Sequence, residues 1–215
     1  MIKISQSIFS ADILKLEDAV KLLDKNGADY IHIDIMDGHY VPNITFGPNI
    51  VKSLRKVTSK ILDEHLMIKP VKQYINNFVE AGSNIITFHP EADDNPEEII
   101  KMISDAEIKA GIAIQPDVNI ADIDHLFSKV QQIMVMTVTP GFGGQKFMHD
   151  QVQKIKDLDE IRKNNNYNYD IAVDGGVNNE NAKICKDNGA NVLAVGSYLL
   201  SQNQNNYSKI INSLR

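Results

Sequence analysis

Residues 26–33 read NGADYIHI, and the same pattern returns as AGSNIITF at 81–88, KAGIAIQP at 109–116 and NGANVLAV at 188–195. Each places a glycine just ahead of an apolar run. A glycine there ends a helix in the left-handed conformation, and the short apolar run that follows reads as a strand. Repeated helix–Gly–strand joints predict parallel strands linked by right-handed crossovers. Outward from these joints the apolar pattern predicts strands over 2–9, 30–36, 60–67, 84–89, 111–115, 132–138, 170–174 and 191–195. The first helix is predicted to be capped by Asp12, to carry Leu14, Leu16, Val20, Leu22 and Leu23 on its apolar stripe, and to stop at Asn26–Gly27. Further helices are predicted over 48–56, from Pro70 to Gly82, from Pro96 to near Gly111, over 120–127 as a weaker segment, and over 151–163, 180–188 and 207–214.

Eight strand–helix alternations in 215 residues, with no domain-sized linker, predict an α/β protein with one (β/α)8 TIM barrel as a single domain over 1–215. The competing open, doubly wound sheet normally carries a Gly-rich loop after its first strand, and SIFSAD at 7–12 holds no glycine.

Composition narrows the function. The chain is 43% hydrophobic with a formal net charge of −6, and no basic stripe appears, so nucleic acid is not an expected partner. No apolar stretch approaches the roughly 20 residues of a membrane span, so no membrane partner is expected. The opening MIKISQSIFSAD shows no charged segment followed by a long apolar run, and a single cysteine, Cys185, excludes an intrachain disulfide. A cytoplasmic location is the expectation.

In a barrel of this kind the active site lies at the C-terminal ends of the strands. The second strand gives the sharpest signal, IHIDIMDGHYVPNIT at 31–45. Ile31, Ile33 and Ile35 face one way and His32, Asp34 and Met36 the other, because strand side chains alternate. An imidazole and a carboxylate two residues apart on one face can reach the same point, which is a metal-ligand or acid–base spacing. The other strand ends offer Ser7 and Ser10, His65 and Met67, His89, Met134 and Met136, and Asp174. Two His and two Asp converge on one mouth, and donors of this mix suit one divalent ion: zinc, Fe(II) or Mn(II). Met36, Met67 and Met136 are expected to ring the pocket as a dry, polarisable wall. His89 ends strand four and could line the mouth, but a structural or supporting role is the expectation.

Glycines form a second constellation: Gly141-Phe142-Gly143-Gly144 after strand six, Gly175-Gly176 after strand seven and Gly196-Ser197 after strand eight. Exposed backbone N–H groups in such loops cradle phosphate, and barrel phosphate sites are typically built after strands seven and eight.

With SIFSAD (7–12), HIDIMDGHYVPNITFGP (32–48), HLM (65–67), VMTVTPGFGGQKF (135–147), VDGGVN (173–178) and VGS (195–197) in view, the chain resembles the ribulose-phosphate 3-epimerase family over nearly its whole length. The resemblance implies that His32, Asp34, His65 and Asp174 bind one divalent metal ion per chain. It implies that Asp34 and Asp174 are also the two acid–base residues. Ser7 and His65 would meet the substrate, and Gly141, Phe142, Gly143, Gly144, Gly175, Gly176, Gly196 and Ser197 would hold its phosphate. The implied reaction interconverts D-ribulose 5-phosphate and D-xylulose 5-phosphate in the pentose phosphate pathway, and the implied assembly is a homo-oligomer.

The nearest alternative is a D-allulose-6-phosphate 3-epimerase with the same metal and bases; the Gly143-Gly144 pair resembles the pentulose type. A decarboxylase barrel resembling orotidine-phosphate decarboxylase would carry Asp-x-Lys on a strand end, whereas Asp34 here is followed by Ile35 and Met36. Three residues depart from the family pattern: Gln6 for a usual Pro, Ala172 for a common Glu, and Glu64 where an apolar residue is expected to face the helix layer.

Overall fold

Eight strands, β1 (Lys3–Ser7), β2 (Tyr30–Met36), β3 (Ile61–Met67), β4 (Ile85–Phe88), β5 (Lys109–Ile114), β6 (Gln132–Met136), β7 (Asp170–Asp174) and β8 (Val192–Val195), pair in parallel in chain order, and β1 closes onto β8. The computed structural model describes residues 2–215. Helices α1 (Leu16–Lys25), α2 (Pro48–Leu54), α3 (Ile75–Ala81), α4 (Pro96–Asp105), α5 (Val152–Asn165), α6 (Asn179–Asp187), α7 (Ser197–Leu200) and α8 (Tyr207–Leu214) accompany the strands in a TIM barrel. Among the described residues no helix is long and apolar enough to cross a membrane.

The alternation read in β2 holds around the ring. Ile31, Ile33 and Ile35 point outward and pack with Leu16, Val20 and Leu23 of α1 in the layer between strands and helices. Each such side chain, fully buried, contributes roughly 1.5–3 kcal/mol relative to exposure. Inside the barrel, Tyr30, Ile85, Met134, Ala172 and Val192 fill the lower part. Ala172, one of the three departures, thus belongs to the apolar filling.

Three of the four joints that suggested the barrel end on left-handed glycines, with φ of 94° at Gly27, 99° at Gly82 and 108° at Gly189. The third joint differs. There Glu107 takes the left-handed turn (φ 59°), β5 begins at Lys109, and Gly111 lies inside the strand. Gly111 is small for another reason: a Cβ at this position would overlap Thr87 Oγ1 and come within 3.3 Å of Gln132 Cβ.

Other differences have local causes. The segment predicted as helix over 120–127 forms two 3₁₀ turns, Ile120–Asp122 and Asp124–Lys129. Its apolar residues Ile120, Ile123 and Leu126 recur every third position, the 3₁₀ period, so they stack over one another without an α-helix. Asp12 does cap, but it caps a 3₁₀ turn over Ile13–Lys15, and Leu14 is 90% exposed instead of joining the stripe of α1. Pro70 lies in a turn; fully buried Val71 and a 3₁₀ turn over Lys72–Tyr74 precede α3. The polar run at 164–168 enters α5, which stops where Asn166 turns left-handed. The short helix α7 directly follows Gly196.

Glu64 faces the helix layer, as expected, between Ile33 and Ile86 in the sheet register. It is fully buried and neither carboxylate oxygen has a hydrogen-bond partner. Burial pushes its carboxyl up to about 8, with the charge of Asp63 adding to the effect. Glu64 is therefore a neutral acid at physiological pH, held in an apolar layer.

Candidate active site

β2 and β3 run side by side with Asp34 opposite His65, and β7 brings Asp174 from across the ring. His32, Asp34, His65 and Asp174 each offer a ligand atom, and these atoms all lie within 4.8 Å of one another. His32 Nε2 lies 3.3 Å from Asp34 Oδ1 and 3.9 Å from Asp174 Oδ2. His65 Nδ1 lies 3.4 Å from Asp34 Oδ1 and 3.5 Å from Asp174 Oδ2. Neither ring nitrogen has a hydrogen-bond partner, although both are buried.

The protonation of these rings tests whether a cation fits. His32 Nδ1 lies 3.0 Å from Asp63 Oδ2, a carboxylate that can only accept, so Nδ1 carries the proton. In the neutral ring Nε2 is then a lone pair aimed at another acceptor, Asp34. Lone pairs converging from two imidazoles and two carboxylates repel unless a positive charge sits among them. A divalent ion with N/O ligands meets that need. Burial alone would depress His32, but the Asp34 and Asp63 carboxylates outweigh it and hold the imidazole well above its usual range. His65 is raised in the same way against its burial, by Asp174 and Asp34. Asp34 is also buried, and His32 and His65 hold it well below the ordinary carboxylate range.

Beneath the group lies a polar layer that the sequence reading missed. Asp63 accepts from Ser5 Oγ at 2.7 Å and from Gln132 Nε2 at 3.1 Å, besides its contact with His32. Gln132 Nε2 also donates to Thr87 Oγ1 at 3.0 Å, in the space Gly111 leaves open. Strand alternation was the available signal, since Asp63, His65 and Met67 must share a face. His89 is fully buried directly behind His65, their Nε2 atoms 2.9 Å apart, and burial holds its ring down to about 4.

Above the group opens one pocket. Asp34 and Asp174 are part of its lining, with Ser7, Met36, Met67 and Met136. Ser7 Oγ donates to Asp34 Oδ2 at 2.8 Å, fixing that carboxylate. Gln6 sends its Nε2 to the Ser7 carbonyl at 3.1 Å. His32 and His65 are fully buried and lie behind the two carboxylates. Gly141, Phe142, Gly143, Gly144, Gly175, Gly176, Gly196 and Ser197 all line the same pocket. No Lys or Arg is among the described residues that line it, so an anion there would meet backbone N–H groups and hydroxyls.

Gly175 and Gly176 have positive φ (118° and 67°), and a Cβ would come within 2.5 Å of Val138 Cγ2 at the first and 2.7 Å of Phe147 N at the second. These glycines let the loops after β6 and β7 press together on one side of the pocket.

The family model of the ribulose-phosphate 3 epimerase family matches residues 3–200. Ribulose-phosphate 3-epimerase of Bacillus subtilis is 43% identical, covering 100% of this chain and 99% of the relative. The Escherichia coli K12 enzyme of the same name is 39% identical over 99% of this chain and 94% of its own. The chloroplastic ribulose-5-phosphate-3-epimerase of Arabidopsis thaliana is 40% identical over 90% of this chain and 70% of its own. Among solved structures, 3-keto-L-gulonate-6-phosphate decarboxylase from Vibrio cholerae superposes with a TM-score of 0.74 at 14% identity, covering 100% of this chain and 95% of that one, a likeness of fold alone. The chain belongs to the ribulose-phosphate 3-epimerase family.

Proposed function

We propose that this chain interconverts D-ribulose 5-phosphate and D-xylulose 5-phosphate, within the pentose phosphate pathway, by removing the proton of carbon 3 and returning one to the opposite face. The observation that carries this reading is the pair Asp34 and Asp174, set on separate strands at the floor of one pocket with two buried imidazoles behind them. One carboxylate, ionised, takes the proton; the other, protonated, delivers one from the far side. The two share His32 and His65 as neighbours. Ser7 orients Asp34 through its hydroxyl.

His32, Asp34, His65 and Asp174 would hold one divalent ion per chain, with zinc, Fe(II) and Mn(II) all suited to the donor set. Such an ion supplies Lewis-acid stabilisation for the negative charge that builds on the sugar as its proton leaves. Met36, Met67 and Met136 limit water around the reacting carbon. The glycine loops and Ser197 take the phosphate through backbone N–H groups and a hydroxyl. Binding energy at that remote group orients carbon 3 between the two carboxylates. The reading extends to one catalytic barrel domain in the cytoplasm, and to a homo-oligomer as the family resemblance implies.

A substrate panel tests the proposal. Purified, metal-analysed protein is offered ribulose 5-phosphate and allulose 6-phosphate. A higher kcat/KM for the pentulose supports the assignment. A reversed order transfers it to the hexulose-phosphate reaction, and no turnover of either refutes it.

A further inference from the structure

The two imidazoles of the four-residue group are backed differently. His32 leans directly on a carboxylate, Asp63. His65 leans on a second imidazole, with His65 Nε2 and His89 Nε2 2.9 Å apart. One proton lies between those two nitrogens, and either ring can supply it. The next contact decides which. His89 Nδ1, buried and without a hydrogen-bond partner, lies 3.5 Å from Glu91 Oε1. Glu91 is held ionised: against its burial, His89 and Tyr40 bring its carboxyl down to about 2.

An ionised carboxylate only accepts, so the His89 proton is placed on Nδ1, toward Glu91. His89 Nε2 is then a lone pair. It accepts from His65 Nε2–H, which leaves His65 Nδ1 as a lone pair directed at Asp34 and Asp174. The opposite arrangement would set the His89 Nδ1 lone pair against Glu91 and put a proton on His65 Nδ1, where a metal ligand must have none. Glu91 is itself fixed in place. Tyr40 Oη donates to its Oε1 at 2.7 Å, and Gln115 Nε2 donates to the same oxygen at 3.1 Å. The Tyr40 ring also lies against His89, with centroids 4.7 Å apart. Residues from the loops after β2, β4 and β5 therefore converge on one carboxylate behind the site.

We infer that Glu91, acting through His89, is a positioning residue that presents the His65 Nδ1 lone pair to the metal ion. The inference rests on the metal-binding reading of the four-residue group. It assigns the loop after β4 a part in metal affinity although neither Glu91 nor His89 lines the substrate pocket.

The test is a double-mutant cycle read as zinc affinity by chelator competition, with His65→Ala measured alongside. Glu91→Ala is expected to weaken Zn(II) binding about 10- to 100-fold, the usual effect of removing an outer partner of a ligating His. His89→Gln keeps an oxygen that accepts from His65 Nε2–H, so it should stay within about threefold of the parent. Adding Glu91→Ala to His89→Gln should then cost nothing further, since the glutamine no longer needs Glu91 to set its direction. In zinc-loaded parent protein, nitrogen-15 spectra should place the His89 proton on Nδ1 and the His65 proton on Nε2. An unchanged affinity in Glu91→Ala, an equal loss in both backgrounds, or a His89 proton on Nε2 would overturn the inference. Unchanged zinc binding in His65→Ala would instead remove the metal reading beneath it, and the inference with it.

Discussion

Replacing Glu64 by glutamine should make the protein more stable, and the gain should grow with pH. In the folded protein the carboxyl is buried without a partner and pushed up to about 8; its ordinary value is 4.5. Between these two values the folded chain holds a proton that the unfolded chain has released. Stability therefore falls as pH rises across that window, by about 1.4 kcal/mol per pH unit, and levels off above the folded value. The penalty is about 1.4 kcal/mol at pH 5.5 and about 4 kcal/mol at pH 7.5, with a unit's uncertainty in the shift carrying through. Glutamine keeps the shape and does not ionise. The advantage of Glu64→Gln over the parent should widen by about 2.5 kcal/mol between pH 5.5 and 7.5, or roughly 5–10 °C in Tm for a chain of this size. Urea and thermal unfolding of both proteins, each stripped of metal, measure the difference with the His–Asp group common to both. A constant offset at the two pH values would mean that Glu64 is ionised in the folded protein, or satisfied by a partner, and would refute the reasoning.

Three further outcomes follow from the geometry. In metal-free protein the Asp34, Asp63 and Asp174 carboxylates raise His32 and His65 against their burial, so a metal ion must compete with protons for these rings; affinity should rise with pH, and calorimetry in buffers of different ionisation enthalpy should register proton release. An affinity flat from pH 6 to 8 would contradict that. Ser197→Asp places a negative charge on the wall assigned to the phosphate and should raise KM on the order of tenfold or more, with kcat less affected, if one charge-assisted contact of ~1.5–3 kcal/mol is lost; an unchanged KM would place the phosphate elsewhere. Gly111→Ala should destabilise by about 1–3 kcal/mol through crowding of Thr87 and Gln132, and urea unfolding with no loss would show that the polar layer gives way freely.

The barrel was legible because its signals are local. Glycines that end helices, apolar strands behind them, and strict alternation in β2 each need only a few consecutive residues. The same alternation placed His32 and Asp34 on the inner face, and position at strand ends brought His65 and Asp174 to them. What remained hidden depends on neighbours far apart in the chain. Nothing in the residues around Asp63 marks it, and only the register sets it against His32. His89 was read as structural, but its contact with His65 depends on how two strands are tilted. Gly111 looked like a helix terminator, and only the packing of Thr87 and Gln132 against it shows why it is small. Leu14 matched an apolar stripe in period but fell in the turn ahead of the helix.

The central claim is that two carboxylates work on opposite faces of one carbon, and single turnover in deuterated water tests it most directly. Metal-loaded parent protein should give product carrying solvent deuterium at carbon 3. Metal-loaded Asp174→Asn, with its metal content measured in the same preparation, should lose inversion by several orders of magnitude while Asp34 still exchanges the carbon 3 proton of one epimer. Transfer of the substrate's own hydrogen to the opposite face without solvent label, or near-normal inversion by metal-loaded Asp174→Asn, would contradict the two-base reading.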